Sequence, residues 1–229
     1  MIVLGLDTAL GACSVALLDD GKTLAHAHRA MLRGHAEALA PMVETLMREA
    51  GLSFGALDAI AVTTGPGTFT GQRVGLAFAR GLRVALGKPA IGVTTLDAMA
   101  AEALAKTGLA WGIAAADAKR GEIYLGARSV KGETLLTAEL IAVESAPARV
   151  AALAKLHGGE FALAGTASEA LAALLTQAGL QPVDSLLRQP DAIFVARLAA
   201  DIGGEVSNCP PPKPLYLRAP DAKLPGGPW

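Results

Sequence analysis

Aromatic residues are scarce, 4% of 229, and there are only two cysteines. Hydrophobic residues nevertheless make up 52% of the chain, more than a disordered segment carries, so a core forms and consists mainly of Ala, Leu and Val. Cys13 and Cys209 show neither CxxC nor zinc-ligand spacing, which excludes a disulfide framework and suits a reducing compartment. An excess of charge is missing as well. Twenty Lys and Arg stand against 21 Asp and Glu, a net charge of −1, so the chain does not hold nucleic acid by bulk electrostatics. Long apolar runs are also absent. Mean hydropathy is +0.41, yet the charge-free stretches Ala59–Gln72 and Ala170–Val183 fall short of the roughly 20 residues that span a bilayer, and Gly65-Pro66-Gly67 interrupts the first. Met1–Asp7 has no basic leader region or cleavage site, so no membrane association is expected and the expected location is cytoplasmic.

What is present is a regular order of elements. Ile2–Thr8, Cys13–Leu18 and Thr23–Met31 read as three strands joined by turns at Gly11 and Asp19-Asp20-Gly21. A helical pattern runs from about His35 to Gly51, and Leu57–Thr64 is β-branched and buried in character. A second helix ends at Leu86 before Gly87, and Pro89–Thr94 is a further strand. Three strands, helix, strand, helix, strand is the order of a ribonuclease-H-like lobe. From Thr95 a shortened copy follows: a helix at 96–106, a meander at 109–117, 121–130 and 133–143, then helix, strand at Phe161–Ala164 and helix to about Ala178. The expected fold is therefore α/β, with two tandem lobes at 1–95 and 96–188, the second reduced. Residues 189–229, with a helix at Asp191–Ile202 and an extended Pro210–Pro214 run, are expected to pack back on the first lobe.

Several motifs can carry chemistry. Gly65–Gly71 joins a strand to a helix, where backbone N–H groups can cradle an anion. It lacks the Lys-Ser/Thr of a phosphate loop, since Gln72-Arg73 follows Gly71. The alternative is a turn capped by Thr70. Gly51-Leu52-Ser53-Phe54-Gly55 matches a nucleophile elbow, but it follows a helix and precedes a strand, the reverse of that elbow's context. His26, His28, His35 and His157 have no ligand partners at metal-binding spacing, and His26 and His28 read as polar residues of one strand face. Asp7 at the first strand end and Asp117 in the second lobe are paired carboxylates that either face a ligand or serve their own turns.

Leu6-Asp7-Thr8-Ala9, Cys13–Leu17, Gly65–Gly75, Asp117-Ala118-Lys119-Arg120-Gly121-Glu122-Ile123-Tyr124 and Pro214-Leu215-Tyr216-Leu217-Arg218 together resemble the TsaB (YeaZ) family. Lys119 stands where that family usually has arginine. The resemblance is specific through about residue 125 and again at 214–218. It implies an actin-like two-lobed fold and a non-catalytic scaffold that activates a TsaD-type catalytic paralogue in threonylcarbamoyl transfer to the anticodon-adjacent adenosine of tRNA. Implied partners are that paralogue and a TsaE-type ATPase, with tRNA reached only through the complex and a homodimer when the chain is alone. No intrinsic cofactor is implied; ATP and Mg²⁺ belong to the assembled complex. Candidate nucleotide or anion contacts are Asp7, Thr8, Gly65, Gly67 and Thr68. The alternatives are a stand-alone actin-like kinase or ATPase, and the M22 glycoprotease-like peptidase of an older family label.

A helical wheel gives the scaffold reading a physical basis. Apolar residues cover arcs wider than packing on one sheet requires on both the first helix (Ala36, Leu39, Ala40, Val43, Met47) and the second (Gly75, Phe78, Ala79, Leu82, Leu86). These ten residues are the expected interface. Arg73, Arg80 and Arg83 on the rest of the second helix are expected to face solvent.

Overall fold

The computed structural model describes residues 1–202 and 209–218. Its first sheet has the order β3-β2-β1-β4-β5, formed by β1 (Ile2–Asp7), β2 (Ala12–Asp19), β3 (Lys22–Ala30), β4 (Ala59–Thr63) and β5 (Ala90–Val93). The first three strands form an antiparallel meander, and β4 and β5 join it in parallel. The second sheet, β10-β9-β6-β7-β8, repeats this plan with β6 (Trp111–Lys119), β7 (Glu122–Ser129), β8 (Thr134–Ala142), β9 (Phe161–Ala164) and β10 (Pro182–Asp184). The three-residue β10 has no counterpart among the expected strands, because so short a run beginning with proline carries no alternation.

Alternation along β1 sets the layers. Leu4 and Leu6 point to one face, where α1 (His35–Glu49) and α2 (Phe69–Leu86) cover them with Leu39, Val43, Leu46 and Leu76. Val3 points to the other, against Val195 and Ala199 of α6 (Ala192–Ala200). Through α6 the chain thus returns from the second lobe to the first sheet. Beside α6 lies α3 (Thr95–Thr107), whose Leu96, Met99 and Ala103 pack on Ala114 and Ala162 of the second sheet. The far face of that sheet is closed by α4 (Ala146–His157) and α5 (Ser168–Gln177). The result is five layers, helices outside both sheets and the α3–α6 pair between them.

Residues 209–218 form an extended strap along α2. Arg83 Nη1 donates to the Cys209 carbonyl at 3.1 Å, Arg80 Nε to that of Pro212 at 3.0 Å, and Arg73 Nε to Tyr216 Oη at 2.9 Å. The arginines expected to face solvent therefore hold the chain's own C-terminal segment. Pro212 has no N–H to donate, and its carbonyl is taken by Arg80. At its end, Arg218 bridges to the second lobe through the Ala118 carbonyl at 2.8 Å and the Glu122 carboxylate.

Helix α6 can lie close to β1 because residue 5 is glycine: a Cβ there would collide with the Ala192 carbonyl and touch Ala196. Gly5→Ala is expected to lower stability by about 1–3 kcal/mol, the usual cost of overpacking. Urea unfolding measures this, and an unchanged midpoint would show that α6 is free to shift.

Candidate functional site

The end of β1 meets the start of α2 in a dense polar joint. Thr8 Oγ1 donates to the Gly71 carbonyl at 2.7 Å and accepts from Gly75 N–H at 3.0 Å. Thr68 Oγ1 accepts from Gly71 N–H at 3.1 Å and donates to the Ala9 carbonyl at 3.2 Å, and Thr68 N–H donates to the same carbonyl at 2.8 Å. Thr68, not Thr70, is therefore the N-cap of α2; the helix begins as soon as the Gly65–Gly67 turn ends. Gly67 and Gly71 are glycines because a side chain at either would strike the backbone of Ala9 or Thr8. Of the residues expected at an anion contact, Thr8, Gly67 and Thr68 fasten strand to helix, their hydroxyls and the Gly71 and Gly75 N–H groups being spent inside the chain, and the Gly65 carbonyl accepts from Thr95 N–H.

Asp7 sits in this joint, fully buried. Its Oδ1 accepts from Thr63 Oγ1 at 2.7 Å and Ala9 N–H at 3.1 Å, whereas Oδ2 has no partner. Burial pushes the carboxyl up to about 7, against the opposing effect of those two hydrogen bonds, and the nearby Asp191 carboxylate adds to the rise. Burial thus favours the neutral carboxylic acid here over the carboxylate that would anchor a cation. Asp191 caps α6, accepting from Ile193 N–H at 2.8 Å, and its Oδ2 lies 3.0 Å from His26 Nε2. Asp117 is different: it is exposed, and its carboxyl is held below the usual range by hydrogen bonds from the Lys119 side chain and N–H. The two aspartates expected to correspond therefore occupy unlike environments.

The remaining motifs divide clearly. Ser53 is exposed between α1 and a single 3-10 turn, and Cys13 is a buried core thiol pushed up to about 11 by desolvation. Among the described residues no three His, Cys, Asp or Glu are grouped to hold a metal ion. Nor is any helix among them long and apolar enough to cross a membrane.

The expected interface residues also separate. Leu39, Val43, Met47, Gly75 and Ala79 are buried within the first lobe, a correction to their expected role, because the inner part of each wide arc packs on β1, β2 and β4. Ala36 and Ala40 are exposed, and Phe78, Leu82 and Leu86 are half-buried. The outer face carries further residues missing from the expectation. Phe69 is 59% exposed, and with Val74, Ala77 and Phe78 it lines an open groove against Ala36 and Leu39 of α1. Arg73 lies over the Phe69 ring at 3.6 Å, and Tyr216 of the strap stacks on that ring at 5.9 Å.

Comparison with known proteins places this geometry. A family model described as TsaD, tRNA N6-adenosine threonylcarbamoyltransferase, matches residues 29–202. The tRNA threonylcarbamoyladenosine biosynthesis protein TsaB of Escherichia coli K12 is 34% identical over 230 residues, 99% of either chain. A solved structure from Pseudomonas aeruginosa, described as an uncharacterized protein with similarity to peptidase YEAZ, superposes with a TM-score of 0.80 at 34% identity. That match covers 95% of this chain and 99% of the other. The ROK hexokinase of Thermus thermophilus, 18% identical, covers 86% of this chain and 98% of its own with a TM-score of 0.53, a likeness of actin-like fold alone.

The buried carboxyl makes a pH prediction. The folded state keeps the Asp7 proton up to about pH 7, whereas the unfolded chain releases it near pH 4. Stability therefore falls as pH rises from about 4 to 7, by an order of a few kcal/mol, and then levels off. Glu102, also pushed up to about 7 chiefly by burial, slopes the same way. Asp7→Asn is expected to flatten the curve and to exceed the wild type in stability at pH 8. Parallel unfolding curves for the two proteins across this range would refute it.

Proposed function

The chain belongs to the TsaB (YeaZ) family, and from that premise we propose that it is a non-catalytic scaffold in threonylcarbamoyladenosine formation on tRNA. The observation that carries this reading is the outer stripe of α2. Val74, Ala77, Phe78, Gly81, Leu82 and Ala85 recur at helical spacing, are all apolar, and are all exposed or half-buried. Ala36 and Ala40 flank them from α1. Small residues at 77, 81 and 85 let another helix approach closely, and covering each larger side chain is worth about 1.5–3 kcal/mol at full burial. A TsaD-type catalytic paralogue docks here; when it is absent, a second copy of this chain takes its place in a symmetric pair. The TsaE-type ATPase, ATP and Mg²⁺ enter with the assembled complex, and tRNA is reached through it.

The polar joint supports the non-catalytic part. Within it the Gly71 and Gly75 N–H groups are engaged by Thr68 and Thr8, and burial pushes the Asp7 carboxyl up to about 7. Purified alone, the chain is expected to release no phosphate from ATP above a heat-inactivated control; metal-dependent turnover would favour the stand-alone ATPase reading instead.

Ala77→Glu and Leu86→Glu are expected to leave a folded monomer and to weaken both self-association and capture of the TsaD-type paralogue at least tenfold, about 1.4 kcal/mol. Val43→Glu, in contrast, places a charge in the core and should unfold the first lobe. Light scattering, co-purification and circular dichroism separate these outcomes. A folded Ala77→Glu variant that still pairs fully would move the interface elsewhere.

A further inference from the structure

On the opposite side of the first sheet from α1 and α2 lies a second concavity that the docking role does not use. It is a groove of about 280 Å³ between α3, α6 and the turn that joins β7 to β8. Leu104, Ala105, Phe194 and Leu198 supply an apolar wall, and Arg128, Lys131 and Arg197 supply three cations. Asp201 is the one acid among its lining residues, so cations outnumber acids there in a chain whose net charge is −1.

Arg128 distinguishes this groove from a chance surface depression. The residue is 9% exposed. Its nearest carboxylate oxygen, Asp97 Oδ1, stands 4.0 Å from Nη1, beyond hydrogen-bond reach, and Thr94 already holds the other oxygen of Asp97 at 2.6 Å. Among the described residues its guanidinium makes no hydrogen bond, and its ion pair is this longer one to Asp97. A guanidinium has five N–H donors in a planar fork; no nitrogen of Arg128 is sealed from solvent, and the residue lines the groove. Gly132, in the left-handed region at φ +90°, turns the chain beside Nη2 without a side chain to cover it. Arg197 is held at the rim by lying over the Phe194 ring at 5.0 Å.

We propose that this groove binds a small phosphate monoester with a planar or apolar body, of the nucleoside monophosphate class. Three cations lining one groove match the two negative charges and three terminal oxygens of a phosphoryl group, whereas a carboxylate brings one charge and two oxygens. Phe194 and Leu198 take the body of the ligand. The size of the groove, at the lower edge of the roughly 300–1,000 Å³ typical of small-ligand sites, fits a single nucleotide and not a protein segment. A strand of RNA would need a continuous basic track, and the balanced charge of this chain does not supply one.

Calorimetric titration of the full chain with AMP tests the proposal, with inorganic phosphate, adenosine and a short single-stranded RNA as comparison ligands. AMP is expected to bind more tightly than phosphate or adenosine, since it alone engages both walls. Arg128→Gln should weaken it at least tenfold. Because Arg128 is buried and its variant can lose the fold, Arg197→Gln and Lys131→Gln on the exposed rim are measured beside it, each with an expected loss of about threefold or more. Ala77→Glu, on the docking helix, should leave AMP affinity unchanged, so failure of the scaffold reading does not imitate failure of this one. No saturable AMP binding in the millimolar range, AMP affinity unaffected by the rim variants, or RNA binding that free AMP does not displace would each overturn the proposal.

Discussion

The Thr8 hydroxyl, shared between the Gly71 carbonyl and the Gly75 N–H, fixes how α2 leaves the first sheet. A helix start ordinarily exposes four unsatisfied donors; here Thr68 takes Gly71 N–H, and Thr8, just past β1, takes Gly75 N–H one turn further along. This requires the two backbones to approach more closely than any Cβ permits, which is why residues 67 and 71 are glycine. Once α2 is seated, its inner face is committed to Leu4, Leu6 and Val62, and its outer stripe is fixed in direction. The same joint buries Asp7 and leaves one carboxylate oxygen without a partner. Docking surface and perturbed carboxyl are thus two results of one packing constraint.

The strap adds a second fixed direction. Arg73, Arg80 and Arg83 recur at spacings of seven and three along α2, which places them on one side of the helix, away from the apolar stripe. They grip carbonyls and a phenol of residues 209–216, and Arg218 continues to the β6–β7 turn of the second lobe. Arg73 also covers Phe69, which lines the groove beside α1. One arginine therefore touches both the outer groove and the segment that joins the lobes. The first lobe also fastens the chain on either side of the second, where Thr95 N–H meets the Gly65 carbonyl at 2.8 Å and Gly11 N–H meets Gln189 Oε1 at 2.7 Å.

Much of this was legible in the sequence where the signal is periodic. Apolar runs at Ile2–Thr8 and Cys13–Leu18, glycine stops at 51 and 87, and the repeat of strand and helix order located nearly every element within a residue or two. Faces were harder. A wheel reports how wide an apolar arc is, but not which part of it the sheet takes, so Val43 and Ala79 were assigned outward although they are wholly buried. The polar contacts were largely illegible. Thr8 reaches Gly75 across 67 positions and Arg80 reaches Pro212 across 132, and side-chain bonds to distant backbone leave no periodicity for a sequence to display.

The arginines show why such contacts decide function in a chain of this composition. With only 20 cationic residues balanced by 21 acids, bulk charge distinguishes nothing, and each guanidinium must be judged by what it already holds. Arg80, Arg83 and Arg218 are occupied by main-chain carbonyls of their own chain, where a bond to a charged donor is worth more than a neutral one. Releasing them to bind a ligand would cost those bonds. Among the described residues Arg128 has no such bonds to give up, and its ion-pair partner Asp97 stands 4.0 Å away. A buried cation already supplied with acceptors stabilises the fold, whereas one left without them keeps its donors for a ligand. By this criterion the strap arginines are structural, and the groove between α3 and α6 is where the chain keeps a binding capacity that its net charge conceals.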